Sequence, residues 1–70
     1  MIMSELSLSS VEKIFRKANA KRVSDEASRE LRKVVEDFAE EISREAVKAS
    51  EHAGRKTVKE VDIKFVTRQG

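Results

Sequence analysis

Apolar residues recur at steps of three and four along the middle of the chain, from Ser24 to Gly54. This is the period of one face of an α-helix, and neither glycine nor proline interrupts it. Ser24 can cap the amino end with its side-chain oxygen, and Gly54 supplies the left-handed conformation that ends a helix. The pattern predicts one helix of about 28 residues, roughly 42 Å long. Its apolar stripe consists of Leu31, Val34, Val35, Phe38, Ile42, Ala46, Ala49 and Ala53.

Shorter helical patterns flank this central helix on both sides. Ser9 and Glu12 have the spacing of a capping box and predict the start of a helix of about ten residues. Thr57 and Glu60 have the same spacing and predict a third helix over 59–67. The prediction is an all-α domain with helices in the order short, long, short. The assigned segments are a flexible arm at 1–8, the folded domain at 9–67 and the chain end at 68–70.

The flanking helices are too short to cover the whole stripe. Each spans roughly 15 Å, which leaves the apolar face near Phe38 and Ile42 open. Exposing large apolar side chains there forfeits about 1.5 to 3 kcal/mol for each. Two copies that cross at the middle of their long helices bury both stripes, so we expect a head-to-tail dimer. Its expected core is Leu31, Val34, Val35, Phe38 and Ile42.

Composition limits the ways in which so small a domain can be stabilised. The 70 residues include no Cys and one His, which excludes disulfides, thiolate zinc sites and His-rich metal sites. The same shortage of ligands and nucleophiles argues against an enzyme, a cofactor or a small-molecule substrate. No segment has the length of a membrane span, and we expect a soluble cytoplasmic protein. Phe15, Phe38 and Phe65 are expected in the core, because no aromatic residue interleaves with the basic runs.

Two runs of residues around the loops resemble the histone fold and, within it, the archaeal histones. The first is Ala-Lys-Arg-Val-Ser-Asp-Glu-Ala at 20–27, and the second is His-Ala-Gly-Arg-Lys-Thr-Val-Lys at 52–59, followed by Asp62 and Ile63. The resemblance covers the chain from about Ser9 to Val66. It implies an obligate "handshake" dimer that binds and bends double-stranded DNA with little sequence preference. It also implies association with the chromosome, in the nucleoid.

Basic residues are concentrated where such a dimer would meet DNA. Taken alone, each basic group could be only a solvated face, and so could the acidic group of Glu36, Glu40 and Glu41. In the head-to-tail dimer, however, the first loop of one chain lies beside the second loop of the other, so that their charges converge. The expected phosphate contacts are Lys13, Arg16, Lys17, Lys21, Arg22, Arg55, Lys56, Thr57 and Lys59.

The resemblance implies particular roles for some of these residues. Arg22 is expected to enter the minor groove, and Arg55 to form a salt bridge with Asp62 that holds the second loop. A dimer-dimer interface is expected at Ala49, His52 and Asp62, with a hydrogen bond from His52 to Asp62 of the next dimer. The plain alternative for His52 is an exposed residue in the last turn of a helix. This neighbourhood departs from the family pattern at Ala49, Glu51 and Val61.

The sequence therefore favours a DNA-binding, histone-like protein that dimerises and bends, wraps or compacts double-stranded DNA. The alternative is a histone-fold interaction subunit of a transcription or regulatory complex. The expected partners are double-stranded DNA, a second copy in a homodimer, further copies in a tetramer or larger assembly on DNA, and a histone paralogue.

Overall fold

The computed structural model describes residues 6–68, and within that range it contains three α-helices and no β-strand. Helix α1 is Leu8–Lys17, α2 is Asp25–His52 and α3 is Glu60–Thr67. The predicted all-α order of short, long and short helices is confirmed. The 28 residues of α2 match the length that its apolar pattern predicts. The chain divides into two compact units, Met1–Asp37 and Phe38–Gly70, each of which contains part of α2.

Helix α1 begins on Ser7, and the predicted cap at Ser9 is wrong. The hydroxyl oxygen of Ser7 accepts a hydrogen bond from the backbone N–H of Ser10 at 3.1 Å. Leu8, which the sequence assigns to the arm, is therefore the first helical residue. Serines at positions 7, 9 and 10 are all plausible caps in sequence, and only the fold selects among them. Residues 1–5 of the predicted arm, and the chain end at 69–70, lie outside the described residues.

The turn that ends helix α1 has its left-handed residue at Asn19 and not at a glycine. Asn19 has a φ of 69°, in the left-handed region that asparagine tolerates better than most residues. Its N–H donates to the carbonyl oxygen of Arg16 at 2.9 Å, and the N–H of Ala20 donates to that of Phe15 at 3.1 Å. This pair of bonds forms a Schellman turn, which reverses the chain immediately before Lys21.

Both predicted ends of α2 are confirmed. The hydroxyl oxygen of Ser24 accepts from the N–H of Ala27 at 3.1 Å. At the carboxyl end Gly54 has a φ of 75°. The N–H of Gly54 donates to the carbonyl of Glu51, and the N–H of Arg55 to that of Ser50, both at 2.9 Å. The same turn motif therefore ends α1 and α2, and it fixes the backbone of Arg55 directly after the helix.

Helix α3 is capped from within its own first turn by Asp62. Its Oδ2 accepts a hydrogen bond from the backbone N–H of Lys59 at 2.7 Å. The predicted capping box of Thr57 and Glu60 is wrong, because the helix begins later than Thr57 would require. The carboxylate of Glu60 instead lies 2.7 Å from the ammonium group of Lys64, one turn further along. Asp62 thus performs the capping that the sequence assigned to another pair.

Little of the apolar surface is covered in the single chain. Within residues 6–68 the fully buried apolar side chains are Val11 and Ala46. Phe38 is 61% exposed, in keeping with a face that the flanking helices leave open, and Phe65 is 74% exposed, whereas Phe15 is partly buried. The place of Phe38 and Phe65 in a core stays a prediction for the dimer. The remaining stripe residues of α2 are exposed or half-buried: Leu31, Val34, Val35, Ile42 and Ala49.

Candidate nucleic-acid interface

The first basic cluster lies on α1 and in the loop after it. The turn at Asn19 brings the loop back beside the end of the helix, where Arg16, Lys21 and Arg22 line a depression of about 200 Å³. Among residues 6–68 neither Lys21 nor Arg22 is held in an ion pair. Their charges are therefore open to an anion. The cluster comprises Lys13, Arg16, Lys17, Lys21 and Arg22, all of them exposed.

One acidic side chain, Glu12, lies in the same depression. Its Oε2 is 3.6 Å from Nη2 of Arg16, and both side chains are well solvated. Such a pair contributes little to stability, but it offsets part of the charge of Arg16. The charge without an internal partner in this depression therefore belongs to Lys21 and Arg22.

The second basic cluster follows α2 and comprises Arg55, Lys56, Thr57 and Lys59. Its members differ in their exposure to solvent and in their hydrogen bonds within the chain. Arg55 is only partly exposed, and it donates to Oδ1 of Asp62 at 2.7 Å, to Oδ2 at 2.9 Å and to the carbonyl oxygen of Thr57 at 2.8 Å. Lys56, Thr57 and Lys59 are exposed. Lys56 and Lys59 therefore supply the open charge of this cluster.

The ion pair between Arg55 and Asp62 fixes both partners in their charged forms. The guanidinium of Arg55, followed by the backbone N–H of Lys59, lowers the pKa of Asp62 from 3.8 to about 2. The same hydrogen bond raises the pKa of Arg55. A carboxylate that is ionised at all ordinary pH values thus neutralises this guanidinium. Arg55 therefore shapes the loop that presents Lys56 and Lys59.

The carboxyl-terminal end of α2 and the first turn and a half of α3 form a largely apolar depression of about 440 Å³. We call it the terminal hollow; it is lined by Ala49, His52, Ala53, Arg55, Val61, Asp62 and Phe65. The imidazole of His52 is exposed, whereas the side chain of Asp62 is only 4% exposed. The hollow therefore contains the three residues expected at a dimer-dimer interface, but their carboxylate is largely covered.

The acidic group on α2 is less uniform than a solvated face. Glu41 is exposed, and the carboxylate of Glu40 accepts from Nη1 of Arg44 at 2.8 Å. Glu36 differs, because its Oε2 is buried and has no hydrogen-bond partner. No periodicity in the sequence distinguishes it from its neighbours. Burial of a lone carboxylate oxygen depends on tertiary packing, so sequence reasoning missed it.

The described residues offer no site for a metal ion. Between positions 6 and 68, no three or more His, Asp or Glu side chains are grouped closely enough to hold one. In the same part of the chain no helix combines the length and the apolar character needed to cross a membrane.

Three helices in the order short, long and short, with a basic cluster before and after the long one, define a small all-helical protein of the histone fold. The chain belongs to the family described as histone-like transcription factor (CBF/NF-Y) and archaeal histone, whose family model matches residues 4–66. The resemblance seen in the two loop motifs is thereby confirmed.

Two relatives show how closely the whole chain follows this family. One of the subunits of the archaeal histone HAN1 from Thermococcus zilligii is 38% identical over 66 residues, which are 94% of this chain and 98% of the relative. Probable archaeal histone 3 of Methanocaldococcus jannaschii is 41% identical over 66 residues, with the same coverage of 94% and 98%. The similarity therefore extends over nearly the full length of these proteins.

Proposed function

We propose that this chain is a DNA-packaging histone, which acts as a head-to-tail dimer and bends, wraps or compacts double-stranded DNA with little sequence preference. The observation that carries the proposal is the position of two largely exposed basic clusters before and after a helix whose apolar stripe is mostly uncovered. The family and the two archaeal histone relatives support it. In the cell the protein associates with the chromosome.

The exposed stripe supports the dimer. Val34 is 52% exposed and Phe38 is 61% exposed. Covering a large apolar side chain contributes about 1.5 to 3 kcal/mol, and a two-fold interface gains each contribution twice. The burial of a few such side chains contributes a free energy as large as the net stability of a small domain. The helices cross near Phe38, with Leu31, Val34, Val35 and Ile42 around the crossing.

The dimer unites the two basic clusters. In a head-to-tail pair the first cluster of one chain lies beside the second cluster of its partner, so Lys21 and Arg22 join Lys56, Thr57 and Lys59. Two such surfaces arise, and the paired α1 helices add Lys13, Arg16 and Lys17 between them. Contacts of this kind bind phosphates and do not read bases. Arg22 is the side chain that enters the minor groove.

Larger assemblies on DNA form through the carboxyl-terminal end of α2 and the first turn of α3, the region of Ala49, His52 and Asp62. Joining dimers there extends the row of phosphate contacts along the duplex. The proposal therefore includes a tetramer or longer array on DNA in addition to the dimer.

The salt dependence of DNA binding tests the proposal. Each phosphate contact releases condensed counterions, so log K should fall with log salt concentration by about 0.9 per contact. Replacing Arg22 or Lys56 by Ala removes one contact from each chain of the dimer, so it should reduce that slope by about 2 and weaken binding equally on unrelated duplexes. An affinity that does not change between low and moderate salt would contradict the proposal.

Arg44→Ala is the matched control for that experiment. It removes one positive charge from α2 outside both clusters, where Arg44 is paired with Glu40 at 2.8 Å. The slope should then stay close to that of the unmodified protein. An equal loss in Arg44→Ala and Arg22→Ala would show that net charge, not the proposed surface, governs binding.

A second candidate function is a histone-fold interaction subunit that pairs with a different chain. The near balance of 15 basic and 13 acidic residues favours it, as does the family description, which includes histone-like transcription factors. It predicts that the chain alone is unfolded or aggregated and folds when its partner is added. A stable homodimer in solution would exclude it.

A further inference from the structure

Glu12 places one negative charge within the first basic cluster. Between positions 6 and 23 the sequence contains five basic side chains and this one carboxylate. The fold does not put the carboxylate on a separate face, because it lines the same depression as Arg16, Lys21 and Arg22. A negative charge therefore lies at the place where a phosphate of bound DNA would meet these three residues.

The contact between Glu12 and Arg16 is loose. Oε2 of Glu12 lies 3.6 Å from Nη2 of Arg16, which is too far for a hydrogen bond. Glu40 and Arg44 have the same spacing of four residues and nearly the same exposure, yet they form a hydrogen bond of 2.8 Å. The guanidinium of Arg16 is thus attracted to a carboxylate that does not hold it by a direct bond. It can therefore exchange this carboxylate for another anion.

We propose that Glu12 competes with DNA phosphate for Arg16: it holds the guanidinium in the free protein, and a phosphate displaces it when a duplex binds. This inference rests on the proposed function, because it names what regulates the affinity of the same surface. A phosphate can accept two direct hydrogen bonds from a guanidinium, whereas Glu12 accepts none from Arg16. The exchange favours phosphate, but part of the binding free energy is lost in breaking the internal pair.

The competition affects the affinity and the salt dependence together. A phosphate contact releases condensed counterions. The backbone of Glu12 is fixed in the second turn of α1, so the displaced carboxylate stays near the bound phosphate and attracts cations from solution. The net release of counterions at Arg16 is therefore smaller than at Lys21 or Arg22. Each dimer has two such sites, one per chain, and Glu12 lowers both the affinity and the salt slope at each.

DNA binding by Glu12→Gln tests the competition. This variant removes the charge and keeps the size of the side chain. It should bind unrelated duplexes about three- to tenfold more tightly at low salt, with a salt slope that is steeper by up to about 2. Glu12→Ala also lacks the carboxylate and should show the same gain. A Glu12→Gln protein with the affinity and the slope of wild type would overturn the proposal.

Glu40→Gln is the matched control for that measurement, because it also frees an arginine from a pair one turn away. The side chains of Glu40 and Arg44 are 38% and 61% exposed, against 40% and 66% for Glu12 and Arg16. Glu40 lies on α2 outside both basic clusters, so the affinity should stay within about twofold of wild type. An equal gain in Glu40→Gln and Glu12→Gln would show that net charge determines the affinity, and it would overturn the proposal.

A double-mutant cycle tests whether Arg16 is the group for which Glu12 competes. In an Arg16→Ala background the carboxylate has no guanidinium to hold, so the gain from Glu12→Gln should fall below about twofold. Lys13→Ala is the control background on the same helix. Lys13 lies outside the depression, and the full gain should persist there. A gain of the same size in Arg16→Ala as in wild type would overturn the proposal.

Solution mass, measured on the same samples, separates this inference from the proposed function. Glu12→Gln and Glu40→Gln should remain dimers, because a solvated ion pair contributes little to stability. A wild-type chain that is monomeric, or that fails to bind DNA, would contradict the proposed function and the inference with it. A wild-type dimer that binds DNA as tightly as Glu12→Gln does would overturn the inference alone. Dissociation of Glu12→Gln into monomers would also overturn it, because Glu12 would then stabilise the dimer.

Discussion

Arg55 and Asp62 face each other through two parallel hydrogen bonds, Nη2 to Oδ1 at 2.7 Å and Nη1 to Oδ2 at 2.9 Å. The pair connects the end of α2 to the first turn of α3. Because Arg55 also donates to the carbonyl of Thr57 and Asp62 also accepts from Lys59, the whole second loop is fixed around it. The open charges of Lys56 and Lys59 are thereby presented from a rigid loop.

The acid stability of the protein should depend on Asp62. Its pKa is about 2 in the folded chain, against an ordinary value of 3.8. Between these values the unfolded chain binds more protons, so stability rises with pH and is lost as pH falls. The contribution is complete above about pH 5 and is lost as pH falls toward 2. Urea unfolding of Asp62→Asn should show lower stability at neutral pH and a flatter decline through this window.

Asp25→Asn provides the comparison for that experiment. Asp25 is exposed at the amino end of α2, and its replacement should leave the steep acid decline in place. If Asp62→Asn and wild type lose stability in parallel between pH 4 and pH 2, the ion pair does not control the acid limb.

Arg55 should stabilise the second loop and contribute little to the electrostatic binding of DNA. Arg55→Lys keeps the positive charge but loses the two-pronged geometry, because an ammonium group cannot form the same fork. We expect a lower melting temperature and a salt slope of DNA binding that changes by much less than 1, whereas Lys56→Ala removes one contact from each chain of the dimer and lowers the slope by about 2. An Arg55→Lys protein with unchanged melting temperature would contradict this assignment.

Gly54 should be required for its backbone conformation alone. Its φ is 75°, and a Cβ atom added there would meet no atom within 4 Å. Gly54→Ala should therefore destabilise the fold by about 1 to 2 kcal/mol through the left-handed backbone without any clash. The control is Asn19→Gly, which has φ of 69° and should be neutral or slightly stabilising. Chemical denaturation of both variants checks the pair, and a neutral Gly54→Ala would refute it.

Phe38 should hold the two chains together. Phe38→Ala removes a large apolar side chain from each partner, at about 1.5 to 3 kcal/mol per chain. Dimerisation should weaken by about 3 to 6 kcal/mol, or roughly a hundredfold or more in dissociation constant. Dilution series followed by sedimentation measure the change. Phe65→Ala removes the same kind of side chain outside this interface and should leave the dimer intact. Equal dissociation of the two variants would contradict the claim that Phe38 lies at the centre of the dimer interface.

The helices could be predicted from the sequence because the features that determine them lie within or beside each helix. The period of the apolar stripe, the cap at Ser24 and the glycine at position 54 determine α2 from its own residues. The caps of α1 and α3 could not be predicted in this way. Three serines near the start of α1 satisfy the same rule, and α3 is capped by Asp62 from inside its first turn and not by Thr57 before it. Ser7 and Asp62 perform the capping, and Asp62 can do so only because Arg55 compensates its buried charge.

The candidate site was predictable in its composition but not in its geometry. Basic residues beside the loops are visible in the sequence. Only the structure shows that Arg55 is ion-paired with Asp62, whereas Lys21 and Arg22 line a depression without such a pair. The exposure of Phe65 and the burial of a Glu36 oxygen are visible only in the structure. Sequence periodicity predicts which residues share one face of a helix, but it does not predict which other residues bury that face.

The central claim is that two copies of this chain form the unit that binds DNA. Solution mass measured with and without a short double-stranded DNA tests it most directly. We expect a species of twice the 8.0 kDa chain in the absence of DNA, and the same dimer bound to the duplex when DNA is added at low salt. A monomer, or a dimer whose mass does not change on addition of the duplex, would contradict it.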